Sequence, residues 1–308
     1  MHLKYNNLTF LYKPAGVLQL PEFTGSTFRG VFGHALKQIS CVDARQDCSS
    51  CTVAELCLYR LIFETTIPDP SDAPIPGLNQ LPHPYIIQPN SNINQQNRSN
   101  GLLAVRLTLF GPVINWITSI FQVMVRFGEI GVGKGRTKLD LIQIEDSYSG
   151  DIIFAKDGGW QTIPQVYRLG LVEQALGSKI ILEISTAMLL SKHDQDERGF
   201  KADALVRSIL RRFQTMAFYY GSNFKKVDMN LLREDLKALS YRSDLHFQKR
   251  YRYSNRHKSE IPMGGFEGSL EVSNVSPFIR SILKIGETIN VGKGAAMGLG
   301  QYRIRATE

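Results

Sequence analysis

The sequence predicts an α+β fold of two tandem units, each running strand, helix, strand, strand, helix, strand. Three observations lead there. A chain of 308 residues is long enough for two domains of ordinary size. The alternation of β-rich runs with amphipathic stretches occurs twice along it. The two halves also close alike. Gly128-Glu129 followed by Val132-Gly133-Lys134-Gly135 ends the first, and Gly286-Glu287 followed by Val291-Gly292-Lys293-Gly294 ends the second. These turns lie 159 residues apart, about half the chain. The economical reading is two ferredoxin-like (βαββαβ) domains, residues 1–148 and 175–308, joined by a linker and accessory region at 149–174.

Leu3 to Leu11 reads as the first strand. Phe28, Val31, Phe32, Ala35, Leu36 and Ile39 then recur at helical spacing and define one buried stripe. After a group of cysteines, Tyr59 to Thr65 reads as a strand. Residues 68–101, rich in Pro, Asn, Gln and Gly, read as a long loop with a short strand at Tyr85 to Gln88. Leu102 to Phe110 is the next strand, Val113 to Phe127 a helix, and Lys138 to Ile144 the closing strand. The second half gives a strand at Ile180 to Leu190 and a helix at Lys201 to Tyr220. Two strands follow, Leu245 to Tyr253 and Gly268 to Ser273. A helix at Pro277 to Ile285, with proline in its first turn, precedes a last strand at Leu299 to Arg305.

Composition narrows the function. With 43% hydrophobic and 21% charged residues, wholesale disorder is excluded. The net charge of +8 is concentrated: residues 201–258 hold 14 Lys/Arg and 5 Asp/Glu, while the rest of the chain nets −1. Such a segment asks for a polyanion, nucleic acid before an anionic membrane surface. The N-terminus lacks the charged-then-apolar pattern of a secretory signal. The longest apolar run, Val113 to Phe127, is broken by Asn115, Gln122 and Arg126, so no membrane span is expected. A cytoplasmic protein is expected, where disulfides rarely persist.

That bears on the cysteines. Cys41, Cys48, Cys51 and Cys57 are all the chain has, spaced C-x6-C-x2-C-x5-C. Four thiolates in one short loop suit tetrahedral zinc, with an iron–sulfur cluster as the alternative. A site filled by four protein ligands leaves no position for water, so the metal would be structural.

Gly128-x-x-x-x-Gly133-Lys134 has the spacing of a phosphate-binding P-loop. Gly135 stands where Ser or Thr must hold magnesium, and the loop follows a helix rather than a strand, so the NTPase reading fails. A glycine turn that lets a phosphate chain approach beside Lys134 is the better reading. The second copy is denser, Gly292-Lys293-Gly294-Ala295-Ala296-Met297-Gly298-Leu299-Gly300. Its small residues suit a backbone laid against nucleic acid, with Lys293, Gly294, Gly298 and Gly300 as contacts. Arg250, Arg252, Tyr253, Asn255, Arg256, His257 and Lys258 interleave cationic, aromatic and polar groups, as RNA binding requires. A metal-free ribonuclease needs a near-neutral base and cations for the phosphorane. His34 offers the base, with Lys37 one turn on along the same polar face and Arg29 one turn before it, round the helix. His246 and His257 are rivals.

Taken together, the chain resembles the CRISPR-associated, repeat-processing endoribonucleases of the RAMP superfamily, in the branch with a cysteine-bearing N-terminal half. The residues that carry the resemblance are Phe28-Arg29-Gly30-Val31-Phe32-Gly33-His34-Ala35-Leu36-Lys37, the cysteines ending in Cys57-Leu58-Tyr59, and Pro82-His83-Pro84-Tyr85. Arg252-Tyr253-Ser254-Asn255-Arg256, Gly264-Gly265-Phe266-Glu267-Gly268 and Gly292 to Tyr302 continue it along nearly the whole chain. The resemblance implies tandem ferredoxin-like domains and cleavage of CRISPR precursor RNA by 2′-OH attack, giving a 2′,3′-cyclic phosphate without a metal ion. It implies a general base on or beside the first helix, which matches His34. The partners implied are CRISPR repeat RNA and other Cas proteins. A non-catalytic RAMP subunit that binds guide RNA, and a metal-dependent nuclease or NTPase, are the competing classes.

Overall fold

The computed structural model describes residues 1–43, 48–67, 78, 80–89, 101–172, 178–230, 232–254 and 259–306. The chain divides into two units, Lys4–Pro70 with Asn79–Arg168, and Leu169–Glu308 with Met1–Leu3 and Ser71–Leu78.

The first unit is built on β1 (His2–Pro14), α1 (Thr24–Ser40), α2 (Leu58–Ile62), β2 (Tyr85–Pro89), β3 (Leu103–Phe110), α3 (Ile117–Ile130) and β4 (Leu139–Asp146). Its antiparallel strands run β2-β3-β1-β4. That is the ferredoxin-like order, in which the first and third strands are central. Leu103, Val105, Leu107 and Leu109 alternate along β3 and are buried. The predicted stripe of α1 supplies the core opposite them: Phe28, Phe32, Ala35 and Leu36 are fully buried. Phe127 of α3 packs on Phe28 and Tyr12, with ring centroids 5.6 and 5.8 Å away. Ile39 departs from the stripe and is exposed. The helix ends one residue later, where Cys41 turns extended and donates its N–H to the Lys37 carbonyl.

One expectation for this unit changes. Tyr59 to Thr65 is no strand; Leu58–Ile62 is a single helical turn that buries Leu58, Tyr59 and Ile62. An apolar run this short does not reveal its period. The region expected as linker and accessory, 149–174, carries short strands among its described residues. β5 (Ile152–Ala155) and β6 (Gly159–Trp160) extend the sheet beyond β4, and β7 (Tyr167–Gly170) pairs with β1. Each of these strands is four residues or fewer, too short to show alternation.

The second unit repeats the order. β8 (Ile180–Met188), α4 (Ala202–Tyr220), β11 (Ser240–Gln248), β14 (Gly265–Ser273), α6 (Pro277–Ile289) and β15 (Tyr302–Ala306) give a sheet ordered β11-β14-β8-β15. A small hairpin, β9 (Gln195–Asp196) with β10 (Gly199–Phe200), precedes α4, and the short α5 (Arg233–Ala238) follows it. Ser276 caps α6 by accepting the Ile279 N–H at 3.3 Å, with Pro277 next to it. Leu205, Ile209 and Phe213 of α4 and Ile279, Ile282 and Leu283 of α6 cover Leu182, Leu270 and Val272 of the sheet.

The predicted strand Leu245 to Tyr253 is two strands. β11 ends at Gln248 and β12 (Tyr251–Ser254) pairs with β13 (Ser259–Pro262). Register carries through the break: Gln248 faces Gly265 and Tyr251 faces Pro262. The pairing is interrupted at Lys249-Arg250, where the Arg250 carbonyl still accepts the Met263 N–H at 2.8 Å. The last strand begins at Tyr302 rather than Leu299, because Ala295–Met297 form a 3₁₀ turn.

Candidate functional site

Arg29, Gly33 and Lys37 fall four residues apart and share one face of α1. Gly33 is buried, and a Cβ there would run into the Phe63 ring, so glycine lets the chain leaving α2 lie against α1. Phe63 is the floor of an aromatic stack, with Tyr59, His83 and Tyr85 centroids at 5.4, 6.1 and 6.4 Å. The Arg29 guanidinium sits 4.2 Å from the Phe63 centroid, a cation–π arrangement. It also lies 3.2 Å from Nε2 of His83. Arginine only donates, so Nε2 accepts. The His83 proton then belongs on Nδ1, where it donates to Thr65 Oγ1 at 3.4 Å. Burial pushes the Tyr85 hydroxyl up to about 12, with the nearby Arg29 charge pulling it back. Lys37 is half-buried, its Nζ 5.8 Å from the Tyr59 ring centroid.

His34 leaves the helix on the exposed side, with Gly30 and Gln38. Gln38 is anchored there by Arg126 of α3, whose Nε donates at 2.7 Å. The structure therefore presents His34 to solvent and turns Arg29 and Lys37 toward aromatic partners. The residues that hold Arg29 in place, Phe63, Thr65, His83 and Tyr85, were not singled out for that role from sequence. The visible signal was the Pro82-His83-Pro84-Tyr85 stretch, which rigidly frames two of them.

Cys41, Cys48, Cys51 and Cys57 are all half-buried free thiols, and they line one pocket together with Ser40, Ala54, Tyr59 and Arg60. Burial raises the Cys48 thiol above its ordinary value, against the opposing pull of Lys37. Among the described residues, no group of three or more His, Cys, Asp or Glu is placed closely enough to hold a metal ion.

The two Val-Gly-Lys-Gly turns share the geometry of their first glycine and their lysine amide. Gly133 and Gly292 adopt φ +78° and +88°. A Cβ on either would lie 3.1 Å from the Gln19 carbonyl carbon or 3.0 Å from that of Leu189. The next amide, of Lys134 or Lys293, donates to that same carbonyl at 3.0 and 2.9 Å. Both lysines are exposed. Their backbone N–H groups are thus spent inside the fold, and each turn offers an ammonium group outward. Internal packing also accounts for small residues that the sequence reading gave to nucleic acid. Gly294, Gly298 and Gly300 all have positive φ, and Gly298, Gly300, Ala295 and Ala296 are buried.

The interrupted hairpin carries the other predicted contacts. Arg250 pairs with Glu267 at 2.8 Å, both largely buried, so a phosphate must compete with that carboxylate. Arg252 is half-buried on β12, beside Tyr253. Asn255, Arg256, His257 and Lys258 lie outside the described residues. His246, opposite Glu267 on β11, is exposed. Tyr241, Phe247 and Tyr251 are exposed aromatics on this hairpin, Phe247 by 48% and Tyr251 by 58%. The sheet face itself is charge-paired, Arg305 with Glu183 and Lys179 with Glu271, both at 2.9 Å. Stacking chemistry therefore concentrates on the hairpin rather than on those paired strands.

Residues 3–166 match the family model AF_1859_N, an N-terminal domain, and residues 182–302 match the model of the CRISPR-associated endoribonuclease Cas6. An uncharacterized protein of Archaeoglobus fulgidus is 22% identical over 290 residues, 93% of each chain. A product complex of Thermus thermophilus Cas6 is 13% identical with a TM-score of 0.56, covering 98% of this chain and 100% of that one. A second Cas6 product complex is 14% identical with a TM-score of 0.51, covering 99% and 100%. A Cas6-RT-Cas1–Cas2 complex is similar at 14% identity and TM-score 0.53, covering 99% of this chain and 29% of that one. No helix among the described residues is long and apolar enough to cross a membrane.

Proposed function

Because the chain belongs to the family of the CRISPR-associated endoribonuclease Cas6, with an N-terminal half of the AF_1859_N type, we propose that it cuts CRISPR precursor RNA within its repeats. The observation that carries this is the Cas6 match over residues 182–302, on a fold with the same tandem architecture. The cut is a transesterification. The 2′-OH attacks the adjacent phosphorus, the bond from phosphorus to the 5′ oxygen breaks, that oxygen takes a proton from solvent, and a 2′,3′-cyclic phosphate and a 5′-hydroxyl end result.

His34 takes the 2′-OH proton. Imidazole is suited to this because its charge changes near neutrality, and an exposed ring is open to substrate. Lys37 and Arg29 supply cations to the phosphorane, and no metal ion takes part. Arg29 is pre-oriented by Phe63 and His83; to reach phosphate it must exchange the His83 acceptor for a phosphate oxygen. The RNA is held by Lys134, Lys293 and the hairpin from Tyr241 to Tyr253, whose aromatic rings stack unpaired bases.

The competing reading, a non-catalytic subunit that binds guide RNA, draws on Arg29 and Lys37 being engaged with aromatic partners. Labelled repeat RNA incubated with the protein in EDTA separates the two. Cleavage to a 2′,3′-cyclic phosphate end supports the nuclease; tight binding without cleavage supports the subunit. Loss of cutting on chelation, with the fold intact by circular dichroism, would instead assign a catalytic metal.

A further inference from the structure

We propose that Cys41, Cys48, Cys51 and Cys57 together bind one zinc ion, which ties the end of α1 to the start of α2. This inference is independent of whether the chain cuts RNA. Cys41 is the first residue past α1, its N–H bonded to the Lys37 carbonyl. Cys57 immediately precedes α2, and its carbonyl accepts the Leu61 N–H at 3.0 Å. Cys48 opens a three-residue 3₁₀ turn and Cys51 follows it. Each thiol therefore sits at the end of a regular element, where its backbone is fixed.

The described part of the excursion between them buries little apolar surface. Of its described apolar residues only Ala54 is buried, while Val42 is 80% and Leu56 84% exposed. A loop with its apolar groups outward pays ordering entropy without hydrophobic return and needs a cross-link. Thiolate coordination supplies one, since binding energy at a site absent from the unfolded chain acts as folding energy.

The four thiols rim a cavity of about 20 Å³. As placed, the thiols do not form a closed ligand set; the proposal requires them to converge on the ion when it binds.

The protein is purified without added metal or chelator and its metal content measured by plasma mass spectrometry. The expected result is about one zinc per chain, released when the thiols are modified with a mercurial. Cys51→Ser should lose that zinc and melt at lower temperature. Should Cys51→Ser fail to fold, cobalt exchanged into the intact protein keeps the test open. Cobalt should give the intense visible bands of tetrahedral thiolate coordination. Four reactive thiols with no metal and no response to zinc would overturn the proposal. So would two disulfides, or stoichiometric iron with sulfide absorbance near 400 nm.

Discussion

Gly300→Ala separates what the C-terminal glycine turn does for the fold from what it does for RNA. Gly300 has φ +69°, so an alanine there adopts the left-handed region at about 1–2 kcal/mol. Its Cβ would overlap the Val291 carbonyl oxygen and lie 2.7 and 2.9 Å from the Val291 carbonyl carbon and nitrogen. Those atoms are backbone and are already committed. The Val291 N–H donates to the Gly300 carbonyl at 3.0 Å, and the Gly300 N–H donates to Ala187 at 3.1 Å. Relief of the overlap breaks at least one of these bonds, for about 1 kcal/mol more, on top of roughly 1–3 kcal/mol of overpacking. The expected loss is about 4 kcal/mol. In a unit of this size that lowers the melting temperature by roughly 10 °C. Lys293→Ala is the control: its side chain is exposed, so stability should be unchanged while repeat RNA binds more weakly. Differential scanning fluorimetry and filter binding on both variants decide the matter. A Gly300→Ala protein that melts like the parent yet loses RNA affinity would refute the packing argument and return the glycine to the binding surface.

Further consequences follow from the same geometry. Removing Lys134 or Lys293 should weaken RNA binding without changing its sequence preference, and each should reduce the slope of log affinity against log salt by about 1. Tyr302 is fully buried and its hydroxyl donates to the Leu283 carbonyl, in space left by the absent side chain of Gly286. Tyr302→Phe should therefore cost about 1 kcal/mol in denaturant unfolding at neutral pH. Tyr85 predicts an alkaline transition: burial raises its folded pKa to about 12 against the usual 10.0. Its contribution is present below pH 10 and lost as pH rises through 12, a span worth roughly 2–3 kcal/mol. Tyr85→Phe should flatten the alkaline limb of stability against pH by that share; identical limbs would show the hydroxyl to be solvated.

The fold was legible where the pattern was long. The α1 stripe runs over about three turns, and four of its six positions, Phe28, Phe32, Ala35 and Leu36, are fully buried. The paired Val-Gly-Lys-Gly turns gave the duplication, and both lysine amides indeed bond to a carbonyl just beyond the first strand of their unit. What stayed hidden was short or non-local. α2 is a single turn and β5 to β7 are two to four residues each, below the length at which period can be read. The strand break at Lys249-Arg250 leaves no mark in the local pattern, and the partner of Arg250 there, Glu267, lies 17 residues away. The same holds at the candidate active site. Spacing put Arg29, His34 and Lys37 on one helix, but only the packing of Phe63 against Gly33 decided that Arg29 and Lys37 face aromatic rings while His34 faces solvent.

The central claim is that this chain cuts repeat RNA by its own side chains, with His34 as base. It is tested most directly by single-turnover cleavage of labelled repeat RNA in EDTA by the parent and by His34→Ala, with RNA affinity measured on both. The expected result is cyclic-phosphate product from the parent, at least about 100-fold slower cleavage by the variant, and matching affinities. A variant that cuts at the parental rate would reduce His34 to a surface histidine. Tight binding with no cleavage by the parent would make the chain a guide-RNA subunit.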